Sequence, residues 1–144
     1  MIDEILKKAV NNKKISDEEL EFITGISDEP KALEFLLQGD VEVIIYTKGT
    51  NGAEFITKER KVFSPSFRVQ AQDTTGAGDS FIGSFLYQVA EDDNTLESLV
   101  NLSEEKIKEI LTFSNATAAL TVCKRGAIGA LPTKEEVLAL AQGR

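Results

Sequence analysis

A chain of 144 residues, 42% hydrophobic and 28% charged, can bury a core as one domain over 1–144 and is too apolar to stay disordered. Its net charge of −8 argues against nucleic acid as a partner, and the absence of histidine excludes imidazole catalysis and the usual zinc ligands. Cys123 is the single cysteine, so no internal disulfide forms; with no bilayer-length apolar run and no signal-peptide pattern, the expectation is a cytoplasmic protein with no membrane partner.

Ile2, Ile5, Leu6 and Ala9 recur at helical spacing, which predicts an amphipathic helix over 2–12 that ends in the polar run Asn11-Asn12-Lys13-Lys14. Ser16 then reads as an N-cap, with Glu19 three residues later completing a capping box, for a helix running to Gly25. Asp28-Glu29-Pro30 opens another helix that stops at Gly39-Asp40. Val41 to Thr47 is β-branched and nearly continuously apolar, as a buried strand would be. Asn51-Gly52 between this strand and Ala53–Thr57 predicts a hairpin. After a polar turn at 58–61, Val62, Phe63, Phe67 and Val69 suggest extended segments around Ser64-Pro65-Ser66.

The stretch Asp73-Thr74-Thr75-Gly76-Ala77-Gly78-Asp79-Ser80-Phe81 organises the rest. Phe81, Ile82, Phe85, Leu86 and Val89 share one helical face, so the small run lies at a helix N-terminus, where the first amides lack intrahelical partners. Gly76 and Gly78 would let an anion approach that backbone. An acid at the same mouth, Asp79, repels an anion and so suggests chemistry: accepting a proton from a hydroxyl that attacks a phosphoryl group. The structural alternative is a glycine turn with an acid favouring the positive end of the dipole.

Residues 95–102 suggest a short helix or turn, and Ser103 caps a helix that runs through Asn115 and a set of small residues to Val122, implying close approach to a neighbour or ligand. Buried, Asn115 would need a hydrogen-bond partner. Lys124-Arg125-Gly126 reads as a basic helix end, and Thr133 caps the last helix.

The nine-residue stretch resembles the signature of the ribokinase-like sugar kinases, the phosphofructokinase-B-type carbohydrate kinases. The resemblance implies an α/β fold: the C-terminal portion of a three-layer α/β/α sandwich. It makes Asp79 the catalytic base and Gly76, Ala77 and Gly78 the anion hole. The segment from Lys14 to Gly25 is similar to the family's Asn-x-x-Glu segment that helps bind magnesium and phosphates; Glu19 takes the Glu position, and Ser16 stands where many members carry Asn, as in fructokinase-like members. Thr47-x-Gly49-x-x-Gly52 resembles the nucleotide loop, and the position of Asn115 touches the nucleotide in the family. The stretch from Lys124 to Pro132 resembles the loop that helps hold a monovalent cation, which implies a potassium site from Asp73 and Thr75 with the backbone oxygens of Thr121, Lys124 and Gly126; Ala130 lies where some relatives place Ser.

The resemblance runs from about Lys14 to Pro132 and covers only the second half of such a kinase; the sugar-binding half and lid have no counterpart here. It implies ATP-dependent phosphoryl transfer to a sugar hydroxyl, fructokinase-like, with ATP, Mg2+ and K+ as cofactors and a sugar and a nucleotide as partners. The exposed sheet edge left by missing strands leads to an expected partner: a homo-oligomer or the missing N-terminal half. Alone, the chain is expected to be poorly active. The alternatives are a non-catalytic nucleotide-binding or interaction module, or a kinase of the same family for ribose, ketodeoxygluconate or a nucleoside. No Gly-Lys-Ser or Gly-Lys-Thr follows a glycine loop, and Gly76, Gly78 and Gly83 miss the dinucleotide spacing, which sets aside both other nucleotide folds.

Overall fold

Four strands form one sheet in the order β1 (Asn12–Ser16), β2 (Val43–Thr47), β3 (Ala53–Ile56), β4 (Lys61–Ser64) in the computed structural model, which describes residues 12–92, 96–125 and 131–143. β1 and β2 are parallel; β2–β3 and β3–β4 are antiparallel. The crossover between the parallel strands carries α1 (Asp17–Thr24) and α2 (Glu29–Leu37). After β4 come α3 (Ala77–Glu91), a 3-10 turn at Leu96–Asn101, α4 (Glu104–Val122) and α5 (Lys134–Gln142).

β2 shows why the layers form. Val43 to Tyr46 are all buried, so both sides of the strand need cover. Val43 and Ile45 pack with Phe55 and Val62 against Phe81 and Phe85 of α3 and Ile107 and Leu111 of α4. Ile44 and Tyr46 pack on the opposite face with Leu20 of α1 and Ala32 and Leu33 of α2. The result is the expected α/β/α sandwich. Each fully buried aliphatic or aromatic side chain contributes about 1.5–3 kcal/mol to it. Tyr46 also donates its hydroxyl to Glu29 Oε2 at 3.0 Å, tying the first turn of α2 to the sheet. The small residues of α4 allow close approach to α3: Ser84 and Thr117 hydroxyls meet at 3.0 Å, and Gln88 Nε2 donates to the Ile110 carbonyl at 3.1 Å.

Two local expectations change. The helix expected over 2–12 lies, up to Asn11, outside the described residues, but Asn12 to Ser16 are a strand and not a polar helix end. Asn-Lys-Lys-Ile-Ser has little strand propensity; parallel pairing with β2 and burial of Ile15, 2% exposed, decide its conformation. The hairpin expected between β2 and β3 forms, with more than Asn51-Gly52 in its turn. Lys48 to Gly52 form a longer loop with a 3-10 turn at Gly49–Asn51, closed by the Lys48 N–H on the Gly52 carbonyl at 2.8 Å. The cap of α1 is also modified. Ser16 Oγ accepts the Glu19 N–H at 3.3 Å, and its hydroxyl donates to Glu19 Oε1 at 2.7 Å. The full reciprocal capping box occurs instead at Thr133 and Glu136 of α5.

β1 lies at an edge of the described sheet, and α1 and α2 leave Phe22 (91% exposed), Ile23 and Phe35 uncovered. Among the described residues no helix is long and apolar enough to cross a membrane.

Candidate active site

Strand register places a row of small residues across one end of the sheet: Ser16 opposite Thr47, Thr47 opposite Ala53, and Ala53 opposite Ser64. This is the carboxyl end of the two parallel strands, where open α/β sheets hold their ligands. Three segments leave from the row: α1 with Glu19, the 48–52 loop, and the irregular stretch from Pro65 into α3.

The first group of expected nucleotide residues meets at Ser64. Asn115 is buried and donates through Nδ2 to the Ser64 carbonyl at 3.1 Å, Ser64 Oγ at 3.3 Å and the Pro65 carbonyl at 3.3 Å. Gly52, at φ 100°, presses against the same strand end: a Cβ there would stand 2.3 Å from the Ser64 oxygen. Thr47 is half-buried at the start of this loop, and Gly49 is exposed at its tip. Lys48 is not a free cation. Its ammonium pairs with Glu54 and lies 5.3 Å from the Phe63 ring centre and 5.9 Å from that of Tyr46.

The second group is the mouth of α3. The other described α-helices each begin with a side-chain cap, from Ser16, Asp28, Ser103 and Thr133; α3 begins at Gly76 with none. The Ala77 N–H is taken by the Thr74 carbonyl at 3.3 Å and the Ser80 N–H by the Gly76 carbonyl at 2.9 Å. Between them, the N–H groups of Gly78 and Asp79 have no acceptor among the described residues. Asp79 is exposed, in the first turn. Two adjacent amides and a carboxylate thus open together on solvent. A cavity of about 540 Å3 extends from here between α3, α4 and α5, touching Gly76, Asp79, Gly83, Tyr87, Thr117 and Val137. Gly52 and Asn115 do not line it.

The expected cation residues converge in part. The N–H groups of Gln72 and Asp73 both donate to the Val122 carbonyl, at 2.7 and 3.1 Å, which docks the stretch before α3 on the end of α4. Asp73 Oδ1 accepts the Thr75 N–H at 2.9 Å. Thr121 is buried, its hydroxyl donating to the Thr117 carbonyl at 2.8 Å, and its own carbonyl accepts from Lys124 N at 3.5 Å. Gly126 and Ala130 lie outside the described residues.

Lys14 adjoins Glu19 and the α3 mouth, though the resemblance gives it no role of its own. It pairs with Ile45 in the sheet and shares that residue's face, the one covered by α3. Its Nζ lies 3.9 Å from Glu19 Oε1, and a Cβ at Gly78 would stand 3.2 Å from it. So the Glu19 segment and the α3 mouth, 59 positions apart counting from Glu19 to Gly78, adjoin through one ammonium. The alternation Lys14-Ile15-Ser16 carries the signal, since Ile15 buried on one face puts Lys14 on the other.

The family model described as pfkB family carbohydrate kinase matches residues 1–134. This chain belongs to the pfkB family of carbohydrate kinases. It is 43% identical over 122 residues to fructokinase-2 of Zea mays, covering 83% of this chain and 35% of that protein. With the fructokinase of Solanum tuberosum it shares 41% over 132 residues, 90% of this chain and 40% of that one. Among solved structures, the fructokinase of Xylella fastidiosa with bound ATP superposes with a TM-score of 0.84 at 31% identity, covering 95% of this chain and 44% of that chain. The Vibrio cholerae fructokinase, in a form binding fructose, ADP and calcium ion, gives 0.80 at 26%, over 95% of this chain and 43% of that one. The pfkB match thus accounts for the sandwich and for the glycine-rich start of α3, while the chain spans less than half the length of these relatives.

Proposed function

We propose that this chain is the nucleotide-binding and catalytic-base portion of an ATP-dependent sugar kinase of fructokinase type, acting in the cytoplasm. The observation that carries the reading is the uncapped start of α3. The Gly78 and Asp79 amides have no acceptor among the described residues, and a phosphate oxygen is the group such a mouth fits. Glu19 nearby keeps a half-exposed carboxylate, an oxygen ligand of the kind a hard cation takes.

Asp79 accepts the proton of the sugar hydroxyl as that oxygen bonds to the terminal phosphorus of ATP. The bond from this phosphorus to the bridging oxygen breaks, and ADP leaves. Gly76, Ala77 and Gly78 hold the transferring phosphoryl group against the helix start, which favours its negative charge. Thr47, Gly49, Gly52 and Asn115 position the nucleotide along the sheet end, Asn115 by fixing the Ser64–Pro65 backbone that borders it. Glu19 would hold magnesium, which when bound would neutralise phosphate charge. Asp73, Thr75 and the carbonyls of Thr121, Lys124 and Gly126 would hold a potassium ion. The sugar site comes from a partner: the portion of the kinase that this chain does not span, or a second copy.

The test is a chimera in which this chain replaces the corresponding segment of the Xylella fastidiosa fructokinase. Turnover with fructose is expected. Asp79→Asn should lower kcat by a factor of about 10^2–10^4 while ATP affinity is kept. A chimera that binds ATP without turnover would instead favour a nucleotide-binding or interaction module, unchanged turnover in Asp79→Asn would remove Asp79 as the base, and turnover with ribose, ketodeoxygluconate or a nucleoside but not fructose would move the assignment within the family.

A further inference from the structure

We propose that Lys48 and Glu54 are positioning residues of the nucleotide loop: their ion pair latches one end of the 48–52 loop to the sheet and holds the Lys48 ammonium away from the nucleotide. The inference deepens the nucleotide-binding reading and rests on it.

Position 48 is an unspecified one in Thr47-x-Gly49-x-x-Gly52, so the pattern itself gives it no task. Strand register sets Tyr46, Glu54 and Phe63 side by side across β2, β3 and β4. They alternate with Thr47, Ala53 and Ser64, so they stand on the other face of the sheet, which also carries Ile44 and Ile56. The Lys48 side chain turns back over this row. Its ammonium pairs with Glu54 and lies 5.9 Å from the ring centre of Tyr46 and 5.3 Å from that of Phe63, both within cation–π range. The Lys48 side chain is 22% exposed and that of Glu54 14%. Neither keeps full hydration, so each charge depends on the other for compensation.

The loop needs such an anchor. Gly49 to Asn51 are exposed, and Gly49 and Gly52 sit at φ 53° and 100°. Glycines in these conformations give up much chain entropy when the loop is ordered. Two of the backbone bonds that close the loop run through Lys48: its N–H donates to the Gly52 carbonyl at 2.8 Å, and its carbonyl accepts from the Asn51 N–H at 2.9 Å. At the far end, Gly52 packs against the Ser64 carbonyl. At the near end the Glu54 pair fixes Lys48. The loop is thus held at both ends, and a nucleotide meets it already in shape. Apparent affinity scales with the fraction of molecules whose loop is in that shape. Lys48 carries the only charge among residues 48–52, and Glu54 neutralises it, so the loop offers backbone and hydroxyl groups and no free cation.

The experiment combines amide hydrogen exchange with calorimetric titration of the 144-residue chain by ATP and by ADP, each with magnesium. The variants are Lys48→Met, Glu54→Gln, the double variant, and the charge-reversed pair Lys48→Glu with Glu54→Lys. Each single variant should lower protection of the Asn51 and Gly52 amides about tenfold and leave those of Ile45 and Phe55 in the strands unchanged. Each should raise the Kd for ATP and for ADP alike, by about three- to tenfold. The double variant should lose no more than either single one, and the charge-reversed pair should recover at least half of the loss. Tighter ATP binding in Glu54→Gln would mean that the freed ammonium meets phosphate, and would overturn the latch. Loss of loop protection with nucleotide affinity unchanged would leave a structural ion pair only, and additive losses would make the two residues independent; either result overturns the proposal while the kinase reading stands. A wild-type chain that binds neither nucleotide overturns both.

Discussion

Asn115 Nδ2 donates to the Ser64 carbonyl oxygen at 3.1 Å, joining the middle of α4 to the last residue of β4 across 51 positions of sequence. The side chain is buried, so its removal takes a buried donor from the carbonyls of Ser64 and Pro65. Asn115→Ala should cost about 1–3 kcal/mol in urea denaturation, the scale of removing one partner of buried hydrogen bonds. Asn115→Asp should cost more, because a carboxylate turns acceptors toward carbonyl oxygens.

Gly52 approaches the same carbonyl. The clash there is with backbone, 2.3 Å to the Ser64 oxygen and 2.8 Å to the Pro65 Cα, so no side-chain rotation relieves it. Gly52→Ala should destabilise by about 3 kcal/mol or more, combining steric conflict with a φ that L-residues avoid. Gly39→Ala is the control, having open space around its Cβ and an ordinary φ, and should shift stability by less than about 0.5 kcal/mol. Comparable losses in the two variants would show that the contact with Ser64 is not what limits position 52.

The elements with strong local signals were legible in the sequence. Ser16, Asp28, Ser103 and Thr133 all cap helices where their residue types indicate, and the apolar run of β2 is buried on both faces. β1 was not legible, because its conformation comes from pairing with a strand 31 positions further on, as Asn12 with Val43, and not from Asn-Lys-Lys-Ile-Ser itself. Losing the strand also hid Lys14, whose direction depends on strand alternation. The mouth of α3 could be read from Gly76 to Asp79 alone, since it is one continuous segment. The Ser64 clamp could not, since Gly52, Ser64 and Asn115 share no local pattern and meet only through the register of β3 with β4 and the packing of α4.

Tyr46 makes the alkaline stability of the domain predictable. Burial comes first and the hydrogen bond to Glu29 second in pushing its phenol well above the ordinary value of about 10. Unfolded chains lose this proton as pH passes about 10 while the folded state keeps it, so the folded state binds more protons and stability falls as pH rises. The slope attributable to Tyr46 should approach 1.4 kcal/mol per pH unit, about one proton, and Tyr46→Phe should remove it. The chain has 2 tyrosines and no tryptophan, so in Tyr87→Phe near-ultraviolet absorbance follows Tyr46 alone. Its phenolate should appear only together with loss of secondary structure.

The last prediction separates the geometry of the α3 mouth from its chemistry. Gly76 sits at φ 82° and ψ 1°, left-handed, and turns the chain so that the next amides open outward with no side-chain cap in front of them. Alanine there pays the left-handed penalty of about 1–2 kcal/mol, whereas asparagine adopts the region more readily. Gly76→Ala should therefore be destabilised by about that amount, and Gly76→Asn by less. Asp79→Asn, exposed and without a role in the turn, should stay within about 0.5 kcal/mol of wild type by thermal denaturation. If Gly76→Ala matched wild type, the left-handed turn would not be what holds the amides open.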